Sequence, residues 1–182
     1  MTLLIILIIL VFVIVIYSVT TYNTFVRLNE MVENSMAQIA TGLQARWDSL
    51  NNLIDMTKDY SQFEIEALEK ITKNRTSVNR TSDAKEVESE NREFGKALSS
   101  FYAVAENYPN LKTSDLYKET MATMTKHEET LRHLRMVYND TVTKLNRKIK
   151  SFPANILANI FSVHTKDYFE NTSESSTVPK FK

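Results

Sequence analysis

The chain opens on an apolar run that never alternates. Leu3 to Ile16 is fourteen hydrophobic residues in succession, Tyr17 to Tyr22 follow, and no charge occurs before Arg27. As a helix, Leu3 to Thr21 spans roughly 28 Å, close to the hydrocarbon thickness of a bilayer. A run with no polar face suits a lipid-facing helix better than the core of a soluble domain. A cleaved leader would carry a basic start and a small-x-small cleavage site, whereas only Thr2 precedes the run and no Ala-x-Ala follows it. The pattern predicts a retained transmembrane anchor over residues 1–21.

After Tyr22 the apolar positions become periodic. Phe25, Val32, Met36, Ile39, Leu43, Trp47, Leu50 and Ile54 recur mostly at steps of three or four, which keeps them on one helical face. No proline interrupts the passage from anchor to periodic stretch, so the two are expected to form one rod, with this helix A ending near Tyr60. A second helical region, B, is expected over 62–108 in two pieces. Ile65, Leu68 and Ile71 mark the first, and Val87, Phe94, Leu98, Phe101 and Ala105 the second. Between them NRTSVNRTSD (74–83) is rich in side chains that compete for backbone hydrogen bonds and reads as a loop. Its Asn-Arg-Thr copies would be glycosylation sequons only in a eukaryotic secretory lumen. Asp83 with Glu86 has the spacing of a capping box. Pro109-Asn110 marks a turn.

Helix C carries the most regular pattern. From Tyr117, alternating steps of four and three meet Met121, Met124, Glu128, Leu131, Arg135, Tyr138, Val142, Leu145 and Ile149. It should stop at Lys150, because Pro153 disfavours helical backbone at Phe152. A short helix from Ala154 to about Val163 is expected next. The bundle is assigned to 22–170 and a polar, flexible tail to 171–182. The fold class is all-α: a transmembrane helix continuing into a long antiparallel helical bundle.

Short connections would make successive helices antiparallel, so that A and C run parallel with residue n of A beside n+91 of C. Glu33 and Arg46 from A, with Glu128 and Arg135 from C, would then lie within about two turns as partly buried polar layers; the alternative is that long side chains snorkel from the seam into water. The same topology brings the turn AVAENYPNLK close to the bilayer, with Tyr102, Tyr108, Pro109 and Leu111 as a membrane-proximal surface.

Composition narrows the function. Lys plus Arg and Asp plus Glu both number 22, which removes the electrostatic case for nucleic acid. Two glycines and no cysteine leave little scope for phosphate loops, disulfides or thiolate chemistry. His127 and His133 are six apart and diverge by roughly 120° around a helix, unsuited to sharing a metal, and His164 lies far along the chain. No paired Glu-x-x-His, GxSxG or Gly-rich phosphate motif occurs. No catalytic, cofactor or metal site is expected. The Tyr-Asn pairs at 22 and 138, and Asn146, suit side-chain bridges between helices better than a recognition surface, and Trp47 suits the core.

Three stretches carry a family resemblance: YNTFVRLNEMVENSMAQI from Tyr22, FYAVAENYPNLK from Phe101, and YNDTVTKLNRKIKSFPANILANIF from Tyr138. Together with the terminal VPKF they resemble the LemA family of bacterial membrane-anchored helical proteins. This chain departs from the family pattern at Asn51, where a proline is frequent, at Phe63, where a histidine is frequent, and at Ser162, where a glycine is common. The resemblance implies an inner-membrane anchor and a long bundle, and one partner class, an HtpX-type membrane metalloprotease; it supplies no established activity. The expected role is a non-enzymatic scaffold or interaction protein of the bacterial envelope. The alternative is a lipid- or small-ligand-binding module. Arg27 following the anchor favours a cytoplasmic bundle with the amino terminus outside.

Overall fold

A computed structural model of the chain describes residues 1–57 and 78–170. Helix α1 runs without a break from Thr2 to Thr57, roughly 84 Å of rod. Its two halves differ in what they touch. Leu3 to Ile16 stay 47–81 % exposed, whereas burial begins at Thr21 and Phe25 and continues through Val32, Met36, Ile39, Leu43, Trp47, Leu50 and Ile54. Among the described residues α1 alone is long and apolar enough to cross a membrane. Ser18, Thr20 and Thr24 return their hydroxyls to carbonyls one turn back, so the polar residues after the apolar run do not interrupt the helix.

The chain is described again from Val78, and a turn leads to α2, Ala84–Ala105. Asp83 and Glu86 form the expected capping box, each side chain accepting from the other's backbone N–H. Helix α3 is a single turn, Pro109–Thr113, with proline at its first position; the sequence pattern indicated only a turn there. Helix α4 spans Asp115–Lys150, starting where the Ser114 hydroxyl accepts from Tyr117 N–H. Helix α5 spans Ala154–Ile160. The described residues contain helices and no strand. The first part of region B (62–77) and the tail (171–182) lie outside them.

Helix directions differ from the up-down-up expectation. Arg46 meets Glu90 and Trp47 meets Phe94, while nearer the amino terminus Glu30 and Glu33 meet Arg80; residue numbers rise together, so α1 and α2 are parallel neighbours. Against α4 they run oppositely: Arg46 pairs with Glu128, Gly42 lies against Leu131, and Tyr17 lies beneath Lys148. Helices α1 and α4 are therefore antiparallel, and the n+91 register does not exist. The reason lies in chain economy. Helix α1 is described up to Thr57 and α2 starts only at Ala84, so the antiparallel rule for short connections does not apply to this pair.

Two apolar clusters fill the bundle. One joins Phe25, Val32, Met36 and Leu43 to Val87, Leu131, Tyr138 and Leu145. The other, toward the tip, joins Trp47, Leu50 and Leu53 to Phe94, Phe101, Leu111 and Met124. Gly42 permits the close approach of α1 to α4: a Cβ there would fall 2.8 Å from Leu131 Cδ2.

Helix α5 ends in a paired closure, with Val163 N–H donating to Ala158 O at 2.9 Å and Ser162 N–H to Asn159 O at 3.3 Å. This geometry places Ser162 at φ 53°, in the left-handed region that glycine occupies without Cβ strain, which accounts for the glycine common at this position in the resembling family. Ser162→Gly is expected to stabilise the protein by about 1 kcal/mol, measured as a rise in the thermal midpoint followed by circular dichroism; an unchanged or lower midpoint contradicts the strain argument.

Candidate functional site

The boundary between the two apolar clusters is polar and centred on Arg46. Its side chain is 4 % exposed. The guanidinium donates to Glu128 Oε1 at 2.9 Å, Glu90 Oε2 at 3.2 Å and Asn91 Oδ1 at 3.0 Å, and lies 3.9 Å from the centroid of the Phe94 ring. Next along α1, Trp47 Nε1–H donates to Glu90 Oε1, so two consecutive residues of α1 hold both oxygens of one buried carboxylate. Arg46 thereby links all three long helices. Its Nε and that of Arg135 are buried and have no hydrogen-bond partner among the described residues. Burial pushes the Arg135 guanidinium down from the usual arginine value, with the Arg46 charge adding to the effect and Glu128, Glu90 and Glu88 opposing it. Arg135 also faces the Phe169 ring, 5.8 Å away.

Of the four residues expected in polar layers, the structure joins Arg46 directly to Glu128 and sets Arg135 within their field. Glu33 stands apart. It lies 13 residues down α1, roughly 20 Å away, where it accepts from Arg80 Nε at 2.8 Å and Asn29 Nδ2 at 2.7 Å. Glu128 is half-exposed, and the fully buried acid is Glu90. Glu90 occupies the stripe position between Val87 and Phe94, three and four residues away; a charged residue on an apolar stripe was the sequence signal for it.

Glu33 borders a cleft of about 330 Å³ whose walls include Arg80, Asp83, Tyr138, Lys166 and Asp167. One wall is an extended strap after α5. Two asparagines of α4 hold it: Asn146 donates to Lys166 O and accepts from Lys166 N–H, and Asn139 donates to Phe169 O and accepts from Phe169 N–H, all at 2.9–3.0 Å. Seven helical residues rise about 10.5 Å and three extended residues cover about 10 Å, so the two spacings match. Phe169 is buried with its ring 4.9 Å from that of Tyr138. Asn139 and Asn146 thus clamp strap backbone and do not bridge helices. Burial, with Asp167 and Asp83 adding their negative charge, pushes the Tyr138 phenol up to about 12.

The turn expected beside the membrane is at the opposite end. Leu111 packs with Trp47, Leu50 and Leu53, and Tyr102 and Tyr108 pack against the same cluster, more than 20 residues beyond Tyr22 along α1. Tyr102, Tyr108, Pro109 and Leu111 therefore form a distal tip, and Leu111, 2 % exposed, presents no surface. The correction follows from the antiparallel course of α4. His127 is half-buried, His133 and His164 are exposed, and no group of metal-binding side chains occurs among the described residues.

Two outcomes follow from this geometry. Arg46→Met strands the Glu90 carboxylate in the core and should cost about 3 kcal/mol of stability; adding Glu90→Gln removes the stranded charge and should recover part of that loss in denaturant unfolding, whereas additive losses would mean the pair is not coupled. The Tyr138 phenol ionises near pH 10 in the unfolded chain and about 12 when folded, so the unfolded state releases its proton first. Its stabilising contribution is complete below about pH 10 and disappears as pH rises toward 12, on the order of 2 kcal/mol. Comparing wild type with Tyr138→Phe across that range checks the sign, since the variant should lose less stability.

The LemA family model matches residues 35–182. Magnetosome protein MamQ 2 of Paramagnetospirillum magneticum is 23 % identical over 182 residues, covering 86 % of this chain and 67 % of the relative. Protein LemA of Metamycoplasma hominis is 28 % identical over 153 residues, covering 81 % of this chain and 68 % of the relative. Magnetosome protein MamQ of Magnetospirillum gryphiswaldense is 29 % identical over 84 residues, 46 % of this chain and 31 % of the relative. With the family model matched over residues 35–182, well over half of its length, the chain belongs to the LemA family.

Proposed function

We propose that this protein is a non-enzymatic scaffold of the bacterial envelope, anchored in the inner membrane by residues 1–21 and presenting a rigid bundle to a membrane or envelope protein partner. The observation that carries this reading is the continuity of α1 from Thr2 to Thr57. A helix with no break between its lipid-compatible half and its packed half transmits orientation, whereas a flexible linker would let the bundle tumble. The tip of Tyr102, Tyr108 and Pro109 then stands about 54 Å from the anchor, at the end of helical residues 22–57. LemA-family membership agrees with a membrane-associated role, and an HtpX-type metalloprotease is the partner class suggested by the family resemblance. Arg27 favours a cytoplasmic bundle, which protease accessibility in intact and opened cells would test.

A second reading, a small-ligand module, draws on the cleft between Glu33, Arg80, Tyr138 and Lys166. Charges of both signs line it, which suits a small polar ligand better than an acyl chain.

Because the chain has no native cysteine, Asn110→Cys gives a unique crosslinking site at the tip. In native membranes it is expected to capture a defined partner, and inserting a Gly-Ser linker between Val19 and Thr20 should scatter or abolish that capture without reducing membrane retention. Recovery of monomer alone, or capture indifferent to the linker, would overturn the rigid-scaffold reading.

A further inference from the structure

The antiparallel course of α4 returns its end to the level where the apolar part of α1 stops. Lys148 Nζ lies 6.0 Å from the Tyr17 ring centroid, and the Phe161 ring packs at 4.9 Å on Tyr22. The turn after Lys150 and helix α5 therefore occupy the level of Tyr17 to Tyr22, beside the end of the Leu3–Ile16 run. The large side chains they expose there are apolar, Phe152 at 82 %, Ile160 at 66 % and Ile156 at 51 %, with Ser151 and Asn159 as exposed polar neighbours. The opposite side of α5 is used by the fold, since Ala154 and Ala158 are buried and Leu157 packs on the core. Helix α5 is thus two-faced, and its outer face has no partner within the described residues.

Charge is segregated to the same end. Residues 1–29 and 141–166 contain no Asp or Glu, and contain Arg27, Lys144, Arg147, Lys148, Lys150 and Lys166. These two stretches carry six positive charges, and the rest of the chain six net negative ones, hidden in a formal total of zero; Lys166 is the one that faces the cleft beside Glu33. Arg147, Lys148 and Lys150 form the last turn of α4, next to Phe152.

We propose that the turn Ser151–Pro153 and the outer face of α5 form a second membrane contact, a foot in the headgroup layer of an anionic leaflet beside the transmembrane helix; this rests on the membrane-anchor reading above. The occupant follows from position and chemistry. The exposed apolar side chains lie at the level where the anchor leaves the hydrocarbon, where bulky apolar groups partition favourably, and the surrounding cations match anionic headgroups. Phe152, Ile156 and Ile160 all belong to the segment that lies between the Lys148 contact on Tyr17 and the Phe161 contact on Tyr22. Anchor and foot together fix both the tilt and the rotation of the bundle, which a lone helix leaves free.

The cysteine-free chain allows a direct test. Full-length variants Phe152→Cys, Ile156→Cys and Ile160→Cys, with Leu10→Cys and Met136→Cys as lipid and water references, are spin-labelled in phosphatidylcholine vesicles with and without phosphatidylglycerol. Oxygen and nickel-chelate accessibilities are then compared, with circular dichroism confirming helical content. With the anionic lipid, the foot labels should shift from the Met136 value toward the Leu10 value, and move back in pure phosphatidylcholine. Foot labels that match Met136 while Leu10 reads lipid overturn the foot and leave the anchor standing. Labels shielded from both reagents indicate a protein partner or second copy and also overturn it. A water-exposed Leu10 label removes the anchor itself, and identical depths in both vesicles overturn the anionic preference.

Discussion

A guanidinium buried away from water has to be answered by fixed acceptors, and in this protein one such group sets the register of three helices. Arg46 reaches Glu90 and Asn91 on α2 and Glu128 on α4, while the neighbouring Trp47 holds the second oxygen of Glu90. Apolar stripes alone tolerate sliding by a heptad, because one leucine layer resembles the next. Sliding here would leave a carboxylate and a guanidinium unpaired in the core, a penalty of several kcal/mol. The two apolar clusters on either side supply the bulk of the cohesion, and the polar layer decides how they are aligned.

The strap extends the same logic to the carboxyl-terminal part of the described chain. A segment with no helical pattern is held because Asn139 and Asn146 offer paired donors and acceptors to its backbone, as a neighbouring strand would. Phe169 adds an aromatic anchor beside Tyr138 and Arg135. Backbone recognition leaves the identity of Lys166 largely free, whereas the buried ring fixes residue 169.

Direction is what converts these contacts into a functional argument. With α4 antiparallel to α1, the molecule has a basic, apolar-fringed base beside the long apolar run and a tip built from Tyr102, Tyr108 and Pro109. A formal charge of zero conceals this polarity, because residues 1–29 and 141–166 contain no Asp or Glu. The LemA kinship and the long apolar start of α1 agree with a membrane-associated protein.

Local physics made much of this legible. The apolar run, the stripe from Phe25 to Ile54, the seam from Tyr117 to Ile149, the Asp83–Glu86 cap and the stop before Pro153 depend on periodicity and on backbone chemistry within a few residues, so the sequence determined the all-α class and most helix limits. Helix direction, the partner of each charge and the place of the Pro109 turn depend on which surfaces meet across the chain. A stripe looks the same to a parallel and to an antiparallel neighbour, so only the tertiary structure decided that Arg46 meets Glu90 and Glu128, that Glu33 belongs with Arg80, that Asn139 and Asn146 hold a strap, and that the base of the bundle is made by the end of α4.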